Sequence, residues 1–129
     1  MSVLTFEKSL IYESVCAELL QQKEIQFAGF VNKKGRIVAG QVGNKFTKFE
    51  DEEGTVFLME TALEFSMKNE FNGRFGLIEY VFSKRNSANI TCIPIHENIL
   101  VIISETHLEP QKILENFRPI IQKALEVEN

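Results

Sequence analysis

The 129 residues carry 14 Lys and Arg against 18 Asp and Glu, for a net charge of −4, with 44% hydrophobic and 25% charged residues. That length is one domain, residues 1–129, with interior enough to fold without disulfides or metals. The acidic balance offers no basic footprint for nucleic acid, and no apolar run reaches the ~20 residues that cross a bilayer. The two cysteines, Cys16 and Cys92, stand far apart in apolar patterns and read as buried, reduced thiols. Residues 1–20 include Glu7, Glu13 and Glu18 and lack the continuous apolar region of a secretory signal, so a soluble, cytoplasmic protein is expected.

Residues 5–22 predict a helix, with Thr5 as N-cap and Glu7 in the first turn. Its apolar stripe joins the row Ile11, Val15, Leu19 to the row Tyr12, Cys16, Leu20. Residues 25–31 and 36–42 predict a hairpin about Asn32-Lys33-Lys34-Gly35, where Gly35 supplies the positive φ. Gly29, Gly40 and Gly43 mark bulges or the close approach of another backbone. The run from Gly40 to Lys45 lacks both the spacing and the following helix of a phosphate loop. Residues 44–54 are polar and read as a solvated loop. Its acidic run, Glu50 to Glu53, meets the positive end of the next helix dipole and lacks the ligand spacing of a calcium loop.

Residues 55–70 predict the most informative helix. Val56, Met59, Leu63 and Met67 fall on one strip, and Leu58, Ala62 and Phe65 on an adjoining one. The apolar arc is roughly 200° wide, against the ~100° that a surface helix needs. Such a helix packs on the sheet and on something more: a second subunit, or loops of its own chain bearing Phe46, Phe49 and Phe71.

Three apolar runs follow, residues 75–82, 89–95 and 99–104, which predict an antiparallel meander. Both faces of the runs are largely apolar, so the sheet is expected to be covered on both sides by helices. Pro94 is placed at the frayed end of the middle strand or at a bulge. His96-Glu97-Asn98 reads as a three-residue hairpin connection with Asn98 left-handed. Residues 109–126 predict the last helix, with Pro110 in its first turn and a kink at Pro119.

The resulting α+β order, α-β-β-α-β-β-β-α, resembles the Roadblock/LC7 domain and, more broadly, the profilin-like superfamily. The motifs Phe27-Ala28-Gly29, Asn32, Gly35, Val38-Ala39-Gly40, Met59-Glu60, Ala62-Leu63, Ser66-Met67-Lys68 and Glu70-Phe71 resemble those of a family of small uncharacterised archaeal proteins. The first resemblance implies a five-stranded antiparallel sheet with helices on both faces: the first and last helices on one, the middle helix on the other. It also implies dimerisation through the middle helix and the strand after it. The residues expected at that interface are Leu58, Met59, Ala62, Phe65, Ser66, Ile78 and Tyr80.

No catalytic, cofactor-binding or metal-ligating residues are expected. The sequence holds no Cys-x-x-Cys and no His-x-x-x-His, and His96 and His107 flank the ends of one strand. Cys92 with His96 is the nearest approach to a nucleophile and base, and Pro94 intervenes. The expected function is a non-catalytic, homodimeric interaction or scaffold module, with a small GTPase or larger assembly as the partner that the resemblance implies. The alternative is a small-molecule sensor with a pocket between sheet and helices, suggested by the 11 phenylalanines and the loop at residues 44–54.

Overall fold

A computed structural model describes residues 6–42 and 51–127. Among these the chain runs α1 (Phe6–Leu20), β1 (Ile25–Val31), β2 (Ile37–Val42), α2 (Glu52–Asn69), α3 (Asn72–Phe75), β3 (Val81–Lys84), β4 (Asn89–Ile95), β5 (Asn98–Ser104), α4 (Pro110–Asn116) and α5 (Arg118–Leu125). The strands form one antiparallel sheet in the order β2-β1-β5-β4-β3.

Alternation along the strands gives the sheet two apolar faces. On one, Ala28, Phe30, Ile93, Ile95, Leu100 and Ile102 meet Tyr12, Val15, Cys16 and Leu19 of α1, with Ile113, Ile121 and Ala124 of α4 and α5. Tyr12 stacks on Phe30 with ring centroids 3.9 Å apart. On the other face, Phe27, Val31, Cys92, Ile99, Val101 and Ile103 receive Leu58 and Phe65 of α2. This is the two-sided cover expected for a meander without a polar face.

The β1–β2 turn forms as its residues dictate. Asn32 Oδ1 accepts from the backbone N–H of Lys34 at 2.9 Å and of Arg36 at 3.0 Å, and Gly35 has φ 82°. Gly35 also lies against α2, where an added Cβ would stand 2.5 Å from Met59 Cα. Gly40 faces Gly29 across the pair so closely that a Cβ on Gly40 would meet Gly29 Cα at 2.4 Å. Thr5, Gly43, Phe46, Phe49 and Glu50 lie outside the described residues.

Several expectations need correction. α2 begins at Glu52, three residues early, because Asp51 is an N-cap whose side chain accepts from Gly54 N at 2.8 Å, with Glu52 and Glu53 in the first turn. The strand expected over residues 75–82 is Val81–Lys84. Before it, Asn72–Phe75 closes one helical turn, with Gly76 N donating to Asn72 O at 2.8 Å and Gly76 at φ 87°. The outer ladder begins at the Val81–Cys92 pair. Beyond it Pro94 has no N–H to offer an outer strand. Pro94 sits at no bulge: the β4–β5 register runs unbroken through Pro94–Ile99 to Ile95–Asn98. The β4–β5 loop is therefore two residues long, with left-handed His96 (φ 55°), and Asn98 opens β5. At the C-terminal end, the kink expected at Pro119 is a break at Phe117 that divides the helix into α4 and α5.

Candidate interaction surface

α2 carries two apolar strips. At 100° per residue their centres lie about 140° apart, so a helix that seats one on the sheet turns the other outward. Leu58, Thr61, Ala62 and Phe65 face the sheet and are buried. Thr61 Oγ1 donates to Phe57 O at 2.9 Å, so its hydroxyl is paired within the helix. Val56, Met59, Leu63 and Met67 face outward with 46%, 52%, 58% and 52% of their surface exposed. They form a ridge four residues long at successive turns. Charged Glu60, Glu64 and Lys68 flank it, the last two paired at 3.8 Å.

The ridge does not end with the helix. Phe71 follows Met67 by four residues, and its ring lies 6.3 Å from that of Phe75. Phe75 is 77% and Leu77 82% exposed, and Tyr80 also reaches solvent. From the side-chain areas, these eight residues together expose roughly 900 Å².

Of the residues expected at an interface, Met59, Ser66 and Tyr80 are exposed on this side of the molecule. Ile78 is partly buried against the α2-side core. Leu58, Ala62 and Phe65 lie beneath the helix on the sheet. Val56, Leu63, Met67, Phe71, Phe75 and Leu77 are exposed apolar residues of α2 and the segment after it that are absent from that set. Four-residue spacing from 59 through 63 and 67 to 71 was the signal for them, but it does not say which strip the sheet takes.

The groups considered for chemistry are held apart. Burial, with a smaller contribution from Glu64, pushes the Cys92 thiol up to about 12, and burial beside Glu13 raises Cys16 further. Cys92 lies under α2, whereas His96 is in an exposed turn. His107 is exposed, with Nδ1 3.9 Å from Glu105 Oε1. Among the described residues, no group of three or more His, Cys, Asp and Glu is placed to hold a metal ion, and no helix is long and apolar enough to cross a membrane. An open groove of about 430 Å³, lined by Leu10, Ile11, Ser14, Lys123, Glu126 and Val127, runs between α1 and α5. It lies between two helices, not between helices and sheet.

Residues 7–126 match the model of a family described as a family of unknown function, DUF6659. No curated protein matches the sequence. Among solved structures, the chain is similar to MglB of Myxococcus xanthus, at 13% identity and TM-score 0.76, covering 99% of this chain and 98% of that one. It is similar to a Roadblock/LC7 domain from Streptomyces avermitilis, at 11% identity and TM-score 0.59, over 85% and 97% of the two chains. It also resembles profilin II of Acanthamoeba castellanii, at 12% identity and TM-score 0.60, over 88% and 96%. The fold is therefore Roadblock/LC7-like, within the profilin-like α+β class.

Proposed function

The chain belongs to DUF6659, a family whose description assigns no activity, and from its surface we propose that it is a non-catalytic, cytoplasmic interaction module that pairs with a second copy of itself. The observation that carries this reading is the outward ridge of Val56, Met59, Leu63 and Met67, prolonged by Phe71, Phe75, Leu77 and Tyr80. Its exposed area of roughly 900 Å² is what one partner contributes to a standard interface of ~800 Å² per side. An isologous contact puts the same patch on both subunits, so an apolar ridge is its own complement. Residues 76–80 add a second element: they lead into edge strand β3 and pair with no strand among the described residues. The Roadblock/LC7 likeness points the dimer toward a small GTPase or a larger assembly as its further partner.

Native mass spectrometry across a concentration series tests the pairing. The wild-type chain is expected as a dimer. Leu63→Glu places a charge at the centre of the ridge on an already exposed side chain, so it should fold normally and run as a monomer. Leu10→Glu, on an exposed position of α1 across the sheet, should remain dimeric. A monomeric wild-type chain, or a Leu63→Glu dimer as tight as wild type, would remove the reading.

A further inference from the structure

The far end of the α1-side core holds a polar cluster that the interaction surface does not use. Asn89, Thr91 and Ser104 are each fully buried. Asn89 and Ser104 are directly opposed in the β4–β5 register, and Thr91 is the next residue of β4 on the same face. Asn89 Oδ1, Thr91 Oγ1 and Ser104 Oγ have no hydrogen-bond partner among the described residues of the protein. Opposed side chains on neighbouring strands have Cβ atoms about 5 Å apart and diagonal ones ~7–8 Å, a span that one small molecule bridges.

The orientation of the asparagine is fixed by its other end. Asn89 Nδ2 donates to Thr106 O at 3.0 Å and to Leu108 O at 3.3 Å, in the loop that leads from β5 to α4. The amide cannot be turned over without setting its carbonyl against two others. Oδ1 therefore points away from the loop and can only accept. A bridging ligand must donate to it, while the two hydroxyls can either donate or accept. A hard cation would be held by the oxygen lone pairs directly, and three neutral oxygens fall short of the six to eight it takes. All three side chains are 0% exposed, so the cluster presents no open surface to an organic ligand.

We propose that Asn89, Thr91 and Ser104 bind one internal water molecule, which donates to Asn89 Oδ1 and exchanges hydrogen bonds with the two hydroxyls. Buried waters characteristically make about three hydrogen bonds to groups that are otherwise unpaired. Through Asn89 the water ties the β4–β5 ladder to the loop at Thr106 and Leu108. Lys84 of β3 fastens the same loop from outside, donating to Thr106 O at 2.7 Å and to Glu109 at 3.1 Å. The site thus fixes the start of α4 relative to the sheet.

Oxygen-17 relaxation dispersion of water counts molecules held inside a protein and is blind to hydroxyl proton exchange. It is compared between the wild-type chain and Thr91→Val/Ser104→Ala, which keeps Asn89 and changes side-chain volume little. The variant should lose one long-lived water, and its thermal midpoint should fall by about 3–6 °C. An unchanged water count overturns the proposal, whatever happens to stability. So does an unchanged or raised midpoint, since removing hydroxyls that bind nothing relieves the fold. If the variant does not fold, Thr91→Val alone decides by the same two readings.

Discussion

Gly35 offers the sharpest test of how α2 is seated. Its φ of 82° is left-handed, and an added Cβ would stand 2.5 Å from Met59 Cα, 2.8 Å from Met59 N and 2.9 Å from Leu58 O. All three are backbone atoms of a helix, so no side chain can swing aside. Gly35→Ala therefore carries two costs. The left-handed conformation costs about 1–2 kcal/mol, and forcing the turn off the helix adds about 1–3 kcal/mol. Together these lower the thermal midpoint by about 8–20 °C for a chain of this size. Two other glycines separate the terms. Gly76 has φ 87° and ψ 177°, an extended positive-φ region all but reserved for glycine, with nothing among the described residues within 4 Å of its Cβ position, so Gly76→Ala carries a conformational cost of about 1–3 kcal/mol and no clash. Gly73, in α3, has open space and no positive φ, so Gly73→Ala is neutral or stabilising by up to about 1 kcal/mol. Thermal and urea unfolding of the three variants at one fixed protein concentration gives the order, fixed because self-association would shift every midpoint. If Gly35→Ala costs no more than the about 1–2 kcal/mol of the left-handed conformation by itself, the turn does not rest on α2.

Two further outcomes follow from local chemistry. Asp51→Ala removes the acceptor of the Gly54 N–H and should cost about 0.5–2 kcal/mol in urea unfolding, with Asp51→Asn restoring most of it. Alkaline pH should destabilise the fold through its cysteines. Burial raises both thiols above the ordinary 9.0, so above that pH the unfolded chain binds fewer protons than the folded one, and stability falls as pH rises. The fall is about 1.4 kcal/mol per pH unit for each thiol. For Cys92 it continues until the folded value of about 12 is reached. Urea midpoints between pH 8 and 11 should drop less steeply in Cys92→Ala than in wild type, and equal slopes would contradict the burial of that thiol.

The parts legible in the sequence were those in which local chemistry and packing ask for the same thing. β1, β4 and β5 are apolar on both faces because helices cover both sides of the sheet, and their bounds fell within a residue of expectation. The Asn32–Gly35 turn was legible because Asn32 and Gly35 each do something few other residues can. β3 is not legible because residues 75–82 are an apolar run of strand length, but pairing needs a neighbour. Gly76 ends the preceding helical turn, and Pro94 stands on the neighbouring strand where an extended β3 would lie. The start of α2 is not legible because an acidic run reads equally as loop or first turn until the Asp51 cap is seen. For the surface, the number of apolar strips on α2 was legible and their assignment was not. Leu58, Ala62 and Phe65 are no more hydrophobic than Met59, Leu63 and Met67, and only the sheet chooses between them.

That choice has a consequence for the ridge. A helix can relieve an exposed apolar strip by rolling, but α2 has little freedom to roll. Leu58 and Phe65 are locked among Phe27, Val31, Val101 and Ile103, and Gly35 meets the helix backbone at Met59. Rolling the ridge inward would lift Phe65 off the sheet and drive the turn into the helix. Single exposed apolar residues need no explanation. Four of them at successive turns, on a helix fixed in rotation and flanked by Glu60, Glu64 and Lys68, are different. Solvent alone would favour polar residues there, as it does on the flanks. What supports a second chain over that ridge is therefore this contrast on one helix: charge where the helix meets water, and unbroken hydrophobicity where the fold leaves a face it cannot cover by turning.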